Sequence, residues 1–485
     1  MVTRLSGQDA AFFYVEDSAT PAHLGSLAIF DAAGSRIGYD GLLALIEGRL
    51  SQVPRYRQRV KEIAGGLIRP VWVDDEDFDI TYHVRRSALP SPGTQEQLNE
   101  LVARLISRPL DRNRPLWELY VIEGLEGDRF AMFTKSHQAI VDAFGGAFDI
   151  GHVLLDTSPD EVEGHDELWM PSPEPGALAL VINALSGMVS RPTDGIELVR
   201  YAVGDVASSI SKVSKTVTEL GSIARGLTAS APSSVLNAEL SHSRRYVMAS
   251  SDLQDYKRVR ARYGGTINDA ALSVLSGALR NWLISRGEAV SGSTMVRALV
   301  PMSVFPGDRQ KPGAPPSVGV EGSGQDQYPL GPLYGGTTLD LALVDLPVGE
   351  QNPVVRLSQI AYSMSSQPSS SRAVAARNLT RMSGFAPPTM HAMGARLASS
   401  MSRRAFNLVI TNAPGPQMPL YFAGAKMLEI HPVPPLVRNQ ALSIGLTSYD
   451  GRIFYGINAD REAMSDLAMF PELIRESIED LLETL

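Results

Sequence analysis

The sequence contains no cysteine. That absence removes disulfides, thiolate zinc sites, iron–sulfur clusters and cysteine nucleophiles, and it fits a protein of the reducing cytosol. A basic excess is also missing. Lys plus Arg number 44 against 53 for Asp plus Glu, giving a net charge of −9. A surface that tracks phosphates needs the opposite balance, so nucleic acid is not an expected partner. The greasiest stretch, residues 177–189, is broken by Asn183, Ser186 and Gly187. It runs for about 13 residues where a membrane span needs about 20. Residues 1–10 have no signal-peptide core. The expectation is a cytoplasmic chain, soluble or resting on a membrane surface.

Several motifs are absent as well. There is no GxxxxGK[ST] phosphate loop, no GxSxG elbow and no HExxH zinc helix. The acidic cluster Asp74, Asp75, Glu76, Asp77 and Asp79 lacks the glycine and spacing of a calcium loop, and a solvated loop is expected there. No metal site is expected.

At 485 residues the chain is long enough for two or three domains of about 150 residues. With 44% apolar and 20% charged residues, it should pack as a globular α/β protein. Residues 24–30 and 130–135 have strand character. Residues 42–50, 94–106 and 144–155 have helical spacing. Pro171, Pro173, Pro175 and Gly176 mark a domain edge. An Ala/Ser/Val/Gly-rich stretch within 176–240 looks like a helical connector.

From Arg244 the α/β alternation returns. Helices are expected at 253–263, 268–286, 354–365, 389–402 and 465–485, with strands at 296–300, 339–346, 406–411, 441–447 and 452–457. The Pro/Gly-dense stretch 306–336 is expected to be a long loop. The expected organisation is therefore two α/β domains, 1–175 and 241–485, joined by the 176–240 connector.

The stretch with chemical content is Lys135-Ser136-His137-Gln138-Ala139-Ile140-Val141-Asp142-Ala143-Phe144-Gly145-Gly146. A histidine at the end of an apolar strand can take a proton from an attacking hydroxyl, because imidazole titrates near neutrality. Asp142 could fix the loop through an ion pair. A lone His beside an Asp is more often structural, and both readings stay open on the residues alone.

This stretch resembles the HHxxxDG motif of the CoA-dependent acyltransferase superfamily. More narrowly, it resembles the bacterial wax ester synthase/diacylglycerol acyltransferase family. Further similar segments run along nearly the whole chain. Early ones are Leu5-Ser6-Gly7-Gln8-Asp9-Ala10, Pro21-Ala22-His23-Leu24-Gly25, Arg114-Pro115-Leu116-Trp117-Glu118 and Ile122-Glu123-Gly124-Leu125. Later ones are Asn268-Asp269, Pro301-Met302-Ser303-Val304, Thr411-Asn412-Ala413-Pro414-Gly415-Pro416, Pro419-Leu420-Tyr421 and Ser448-Tyr449-Asp450-Gly451.

The resemblance implies two chloramphenicol-acetyltransferase-like mixed-sheet domains with the active site at their interface. It implies a fatty acyl-CoA donor as co-substrate, a diacylglycerol or long-chain alcohol acceptor, and no cofactor. It also implies His137 and Asp142 as the catalytic motif residues, with peripheral contact to the inner face of a membrane or to lipid droplets. This chain departs from the motif at its second histidine, where Gln138 stands, and at its glycine, where Ala143 stands. A glutamine amide has no lone pair basic enough to accept the proton. A homologue that binds lipid or acyl-CoA without turnover is thus the competing reading.

Other residues carry weaker expectations. Asn268 stands at a helix start and Asn412 in a proline-flanked turn. Both are candidates to support the acyl or CoA site, against the plain alternatives of capping and turn formation. Met390, Met393, Leu397 and Met401 share one helical face, as core or as an acyl-chain lining. Arg55, Arg57, Arg59, Lys61, Arg85 and Arg86 could meet CoA phosphates or simply line a surface. His23, His83 and His431 sit in apolar surroundings and are expected to be structural. Nothing singles out His152, His165, His242 or His391. Trp117 and Glu118 are expected in a core strand.

Overall fold

The computed structural model describes residues 3–5, 13, 16–34, 38–63, 68–140, 150–160, 169–176, 231–304, 338–366 and 405–485. Asp142, Ala143, the methionine stripe 390–401 and most of the connector and the long loop lie outside them.

A six-stranded mixed sheet organises the first half. Its strands run in the order Tyr421–Phe422, Ala425–Val433, His23–Asp31, Arg129–His137, Trp117–Leu125 and Val84–Ala88. Only the last pair is parallel among these neighbours. The helix Gln95–Ser107 covers one face, burying Leu98, Val102, Leu105 and Ile106 against Leu27, Ile29 and Phe133. Thr94 and Gln97 start that helix with a reciprocal capping box. On the other face Phe30, Met132, Trp117 and Phe422 pack with Leu45 and Ile46 of the helix Tyr39–Arg49. A separate three-stranded sheet joins Thr3–Arg4, Ile68–Asp74 and Gln58–Ile63.

The second six-stranded sheet runs Thr338–Leu346, Val296–Val304, Leu408–Pro414, Leu442–Tyr449, Arg452–Asp460 and Arg244–Asp252. Leu408–Pro414 is parallel to both of its neighbours. The helices Ile267–Ser285 and Phe470–Leu482 pack on it around Leu275, Trp282, Ile457 and Phe470.

The two sheets are tied together by one strand. Ala425–Val433 pairs with His23–Asp31 and Tyr421–Phe422 in the first sheet, yet the strands Leu408–Pro414 and Leu442–Tyr449 on either side of this pair in the chain belong to the second. It crosses over Gly456, where a Cβ would stand 1.6 Å from the Pro432 carbonyl oxygen. Tyr246 donates to that same oxygen at 3.1 Å, and Asn458 Nδ2 donates to Pro434 O at 2.8 Å. Tyr246 and Met248 also share the apolar cluster of the helix Gln95–Ser107.

Most expected elements are present, with shifted ends. The C-terminal helix is shorter than the expected 465–485. It runs Phe470–Leu482 with Pro471 in its first turn, where a missing N–H costs nothing. Asp466 precedes it and instead accepts from Trp282 Nε1 at 3.1 Å. Of the helix expected at 144–155, the described part is Ile150–Val153. The strands Gln58–Ile63 and Ile68–Asp74 were not expected; the charged alternation of Arg57, Arg59 and Lys61 looks like a surface row.

Candidate active site

The strand Arg129–His137 stops at the motif histidine. His137 N–H bonds to Leu116 O at 3.0 Å, Gln138 N–H to Ala22 O at 2.9 Å, and Ile140 N–H to His137 O at 2.9 Å. The chain turns as it leaves the sheet at Ile140, while the N–H groups of His137 and Gln138 still point to opposite neighbours as in an extended strand. His137 is 1% exposed, whereas Gln138 is partly exposed.

Of the two ring nitrogens of His137, Nδ1 is hydrogen-bonded. Nδ1 accepts the Ala139 N–H at 3.0 Å, which assigns the neutral ring's proton to Nε2. Nε2 lies 3.3 Å from Oε2 of Glu16. That is an ion-pair distance, without the alignment of a hydrogen bond. Phe13 stacks on the ring at 4.5 Å and 30°. His23, its partner in sheet register, meets it edge-on at 6.1 Å.

Glu16 is a functional candidate that the sequence pattern did not reveal. Its carboxylate accepts the Ala22 N–H at 2.9 Å and pairs with Arg112. Burial alone would raise its pKa. The close contact and charge of His137, the Ala22 N–H and Arg112 outweigh that and hold it at about 2. Glu16 is thus a buried carboxylate, held ionised, that faces the motif histidine.

The segment that carries Glu16 is held from the opposite side by the second half of the chain. Arg244 donates to Ala19 O and stands 3.7 Å from Asp460, while His242 Nδ1 lies 3.1 Å from Ser18 O. His137 is therefore roofed by a segment at the junction of the two sheet units. His242, which nothing in the sequence singled out, is part of that junction.

Two further buried groups flank His137. Burial, then the charges of Lys135 and His137, push the pKa of His23 well below that of a free imidazole. Its Nε2 accepts the Leu110 N–H at 3.4 Å. Lys135 donates to Leu105 O at 3.1 Å and to Arg108 O at 2.5 Å, closing the last turn of Gln95–Ser107. Its Nζ also lies 3.4 Å from Glu118 Oε2. Burial lowers the Lys135 pKa, with Glu118 opposing.

Asn268 and Asn412 meet. Asn412 Nδ2 donates to Asn268 Oδ1 at 2.9 Å across a separation of 144 residues. The helix cap itself belongs to Thr266 with Asp269 in a capping box, so Asn268 is not the cap. Both asparagines lie in the second-sheet unit.

The basic residues are mostly neutralised within the molecule. Arg59 and Lys61 pair with Glu174, Arg85 with Glu118, and Arg86 with Glu123. Arg57 is buried and donates to Glu47 O. These pairings fit the plainer reading of a surface row. Within the acidic cluster, Asp74 accepts from Gln58 and Ser172, and Asp79 caps the turn Ile80–His83. His83 and His431 are structural as expected. His83 stacks between Phe78 and Trp117 and bonds Trp117 O at 2.8 Å. His431 bonds Tyr455 O and Glu429.

Two family models cover the chain. The wax ester synthase/diacylglycerol acyltransferase catalytic domain matches residues 5–271, and the WS/DGAT C-terminal domain matches residues 336–482. The chain belongs to the wax ester synthase/diacylglycerol acyltransferase family. Within this family it is similar to the probable diacylglycerol O-acyltransferase tgs3 of Mycobacterium tuberculosis H37Rv. That match is 47% identical over 264 residues, covering 54% of this chain and 97% of the relative. The probable diacylglycerol O-acyltransferase tgs2 of the same strain is 31% identical over 481 residues, covering 98% of this chain and 97% of that one.

Among solved structures, the wax ester synthase/diacylglycerol acyltransferase of Marinobacter aquaeolei VT8 is 26% identical. It superposes with a TM-score of 0.66 over 99% of both chains. The starter condensation domain of rhizomide synthetase, in complex with C8-CoA and Leu-SNAC, shares the fold at 12% identity and a TM-score of 0.53. The family's α/β architecture of paired mixed sheets is the one seen here. Among the described residues, no helix is long and apolar enough to cross a membrane.

Proposed function

We propose that this chain is an acyl-CoA-dependent O-acyltransferase converting diacylglycerol and fatty acyl-CoA to triacylglycerol and CoA, with long-chain alcohols as further acceptors. The observation that carries the reading is the Glu16–His137 pair, buried at the junction of the two sheet units in a chain of this family. In this reading His137 is the general base, acting through Nδ1. That atom releases the Ala139 N–H and takes the acceptor's hydroxyl proton. The alkoxide oxygen forms a bond to the thioester carbonyl carbon, and the carbon–sulfur bond breaks. The departing thiolate recovers the proton to give CoA. While the ring is doubly protonated, its Nε2–H faces Glu16 at 3.3 Å.

Asp142 holds the motif loop, and the Asn268–Asn412 pair supports the acyl or CoA end of the site. The chemistry requires no metal or cofactor, acyl-CoA being a co-substrate. A diacylglycerol acceptor places the enzyme in peripheral contact with the inner face of the membrane or with lipid droplets.

A second reading is favoured by one specific observation. The basic lone pair of His137 is already occupied by Ala139, and position 138 offers a glutamine. On that reading the chain binds acyl-CoA or lipid without turnover. Incubating the chain with isotopically labelled oleoyl-CoA and diolein, followed by mass spectrometry of the lipids, separates the two. Labelled triacylglycerol supports the transferase. Saturable acyl-CoA binding with no labelled product supports the binding protein.

A further inference from the structure

We propose that Arg244 is a positioning residue for the candidate active site, holding from the second sheet unit the turn that presents Glu16 to His137. The inference rests on the proposed function for its catalytic part. Residues 16–22 touch the motif at both ends. Glu16 Oε2 lies 3.3 Å from His137 Nε2, and Ala22 O accepts the Gln138 N–H at 2.9 Å. The two ends are themselves joined, because the same Oε2 accepts the Ala22 N–H at 2.9 Å. Between them the chain closes a turn on Asp17. Its Oδ1 accepts the N–H groups of Ala19 and Thr20 at 2.9 and 2.8 Å and the Thr20 hydroxyl at 2.9 Å. Those N–H groups are used within the turn, while the carbonyls of Ser18 and Ala19 are met by the second unit. His242 Nδ1 lies 3.1 Å from Ser18 O, and Arg244 Nη2 donates to Ala19 O. His242 is exposed and Arg244 is buried, so Arg244 is the firmer of the two contacts.

Arg244 is itself fixed on its own side. It opens the strand Arg244–Asp252 and stands opposite Asp460 in antiparallel register. Asp460 is fully buried. It accepts the Ser241 N–H and hydroxyl at 2.7 and 2.8 Å and the N–H groups of Glu462 and Ala463 at 3.0 Å each. Its Oδ2 lies 3.7 Å from Arg244 Nη1, which donates to Ser241 O at 2.7 Å and to Ser243 O at 3.2 Å. One guanidinium nitrogen is thus bound within the second unit while the other reaches Ala19. The planar fork of arginine does both at once, which a single ammonium nitrogen cannot. The turn transmits the hold, since Ala19 and Glu16 lie on either side of Asp17, which closes it. Freed from Arg244, the turn and its Glu16 shift, and about 1 Å at a site is enough to cost about a hundredfold in rate.

The test is a double-mutant cycle in the full chain. Arg244→Met should lower kcat for acyl transfer about tenfold, with KM for acyl-CoA within about twofold. In a Glu16→Gln background the same change should cost less than about twofold, because the group it positions is already gone. Arg244→Lys should lose less than Arg244→Met, and the cycle is run with it if the methionine variant does not fold. Amide exchange over residues 16–22 should accelerate about tenfold in Arg244→Met, with no change in the helix Ile267–Ser285. An equal fold-loss in both backgrounds overturns the proposal, since a purely structural arginine would act regardless of Glu16. So does unchanged exchange over residues 16–22. If the wild-type chain transfers no acyl group, the proposed function falls and the kinetic part of this inference with it. The exchange reading then still decides whether Arg244 holds the turn that carries Glu16.

Discussion

Nε2 of His137 faces Oε2 of Glu16 at 3.3 Å, and Glu16 is held ionised with a pKa of about 2. A carboxylate that acidic cannot serve as the base. It can hold the ring in place, as an orienting carboxylate does for a histidine base. Glu16→Gln keeps the size and an acceptor for Ala22 while removing the charge. The expected outcome is a loss of about 10²-fold in kcat with the fold retained. Steady-state CoA release and circular dichroism check this. Unaltered kcat would show that the pair has no part in the reaction.

Gln138 supplies the second test. A histidine there restores a basic nitrogen at the motif's second position, partly exposed where His137 is buried. General-base catalysis contributes about 10²–10⁴-fold where geometry permits. Gln138→His should therefore raise acceptor-dependent transfer by about tenfold or more. A variant that binds acyl-CoA as before but transfers no faster would mean that the surrounding turn does not present residue 138 to the acceptor.

His83 makes the folded chain acid-sensitive. Burial lowers its pKa from 6.5 to about 4, opposed by its bond to Trp117 O. The unfolded chain takes up this proton near pH 6.5, and the folded chain only near pH 4. Stability is thus unaffected above pH 6.5, falls as the pH drops from about 6.5 to 4, and levels off below. The loss from this group is about 3 kcal/mol. His23 is shifted in the same direction and adds to the slope. Urea denaturation across this range should show a shallower pH dependence for His83→Phe than for the wild type. Parallel curves would exclude the assignment.

Lys135 and Glu118 form a coupled buried pair. Lys135→Met leaves Glu118 without its buried cation and uncaps the carbonyls of Leu105 and Arg108. Removing one member of such a pair costs about 3 kcal/mol or more. The double variant Lys135→Met/Glu118→Gln should lose less than the sum of the single variants. Strict additivity in chemical denaturation would show that the two do not act together.

The legible parts of the molecule were those governed by local periodicity. The helices 253–263 and 95–107 and the strand ending at His137 follow from residue spacing within one element. The crossing of Ala425–Val433 into the first sheet had no such mark. Its decisive requirement is Gly456, a residue on another strand that admits the Pro432 carbonyl. Glu16 was hidden for a similar reason. Its meaning comes from His137 and Arg112, both distant in the chain, and no neighbouring residue hints at the pairing. The Asn268–Asn412 contact joins two positions that the sequence flagged separately, each as a candidate for acyl or CoA support. The partner of Arg59 and Lys61 was not legible, because Glu174 arrives from a separate segment.

The most direct measurement is the release of free CoA from a long-chain acyl-CoA, with and without diacylglycerol, followed with a thiol reagent. The chain has no cysteine of its own to add background. The account predicts release that depends on the acceptor and is abolished by His137→Ala. Release no faster than with heat-denatured protein, while acyl-CoA still binds, would contradict it and leave a binding protein on an acyltransferase scaffold.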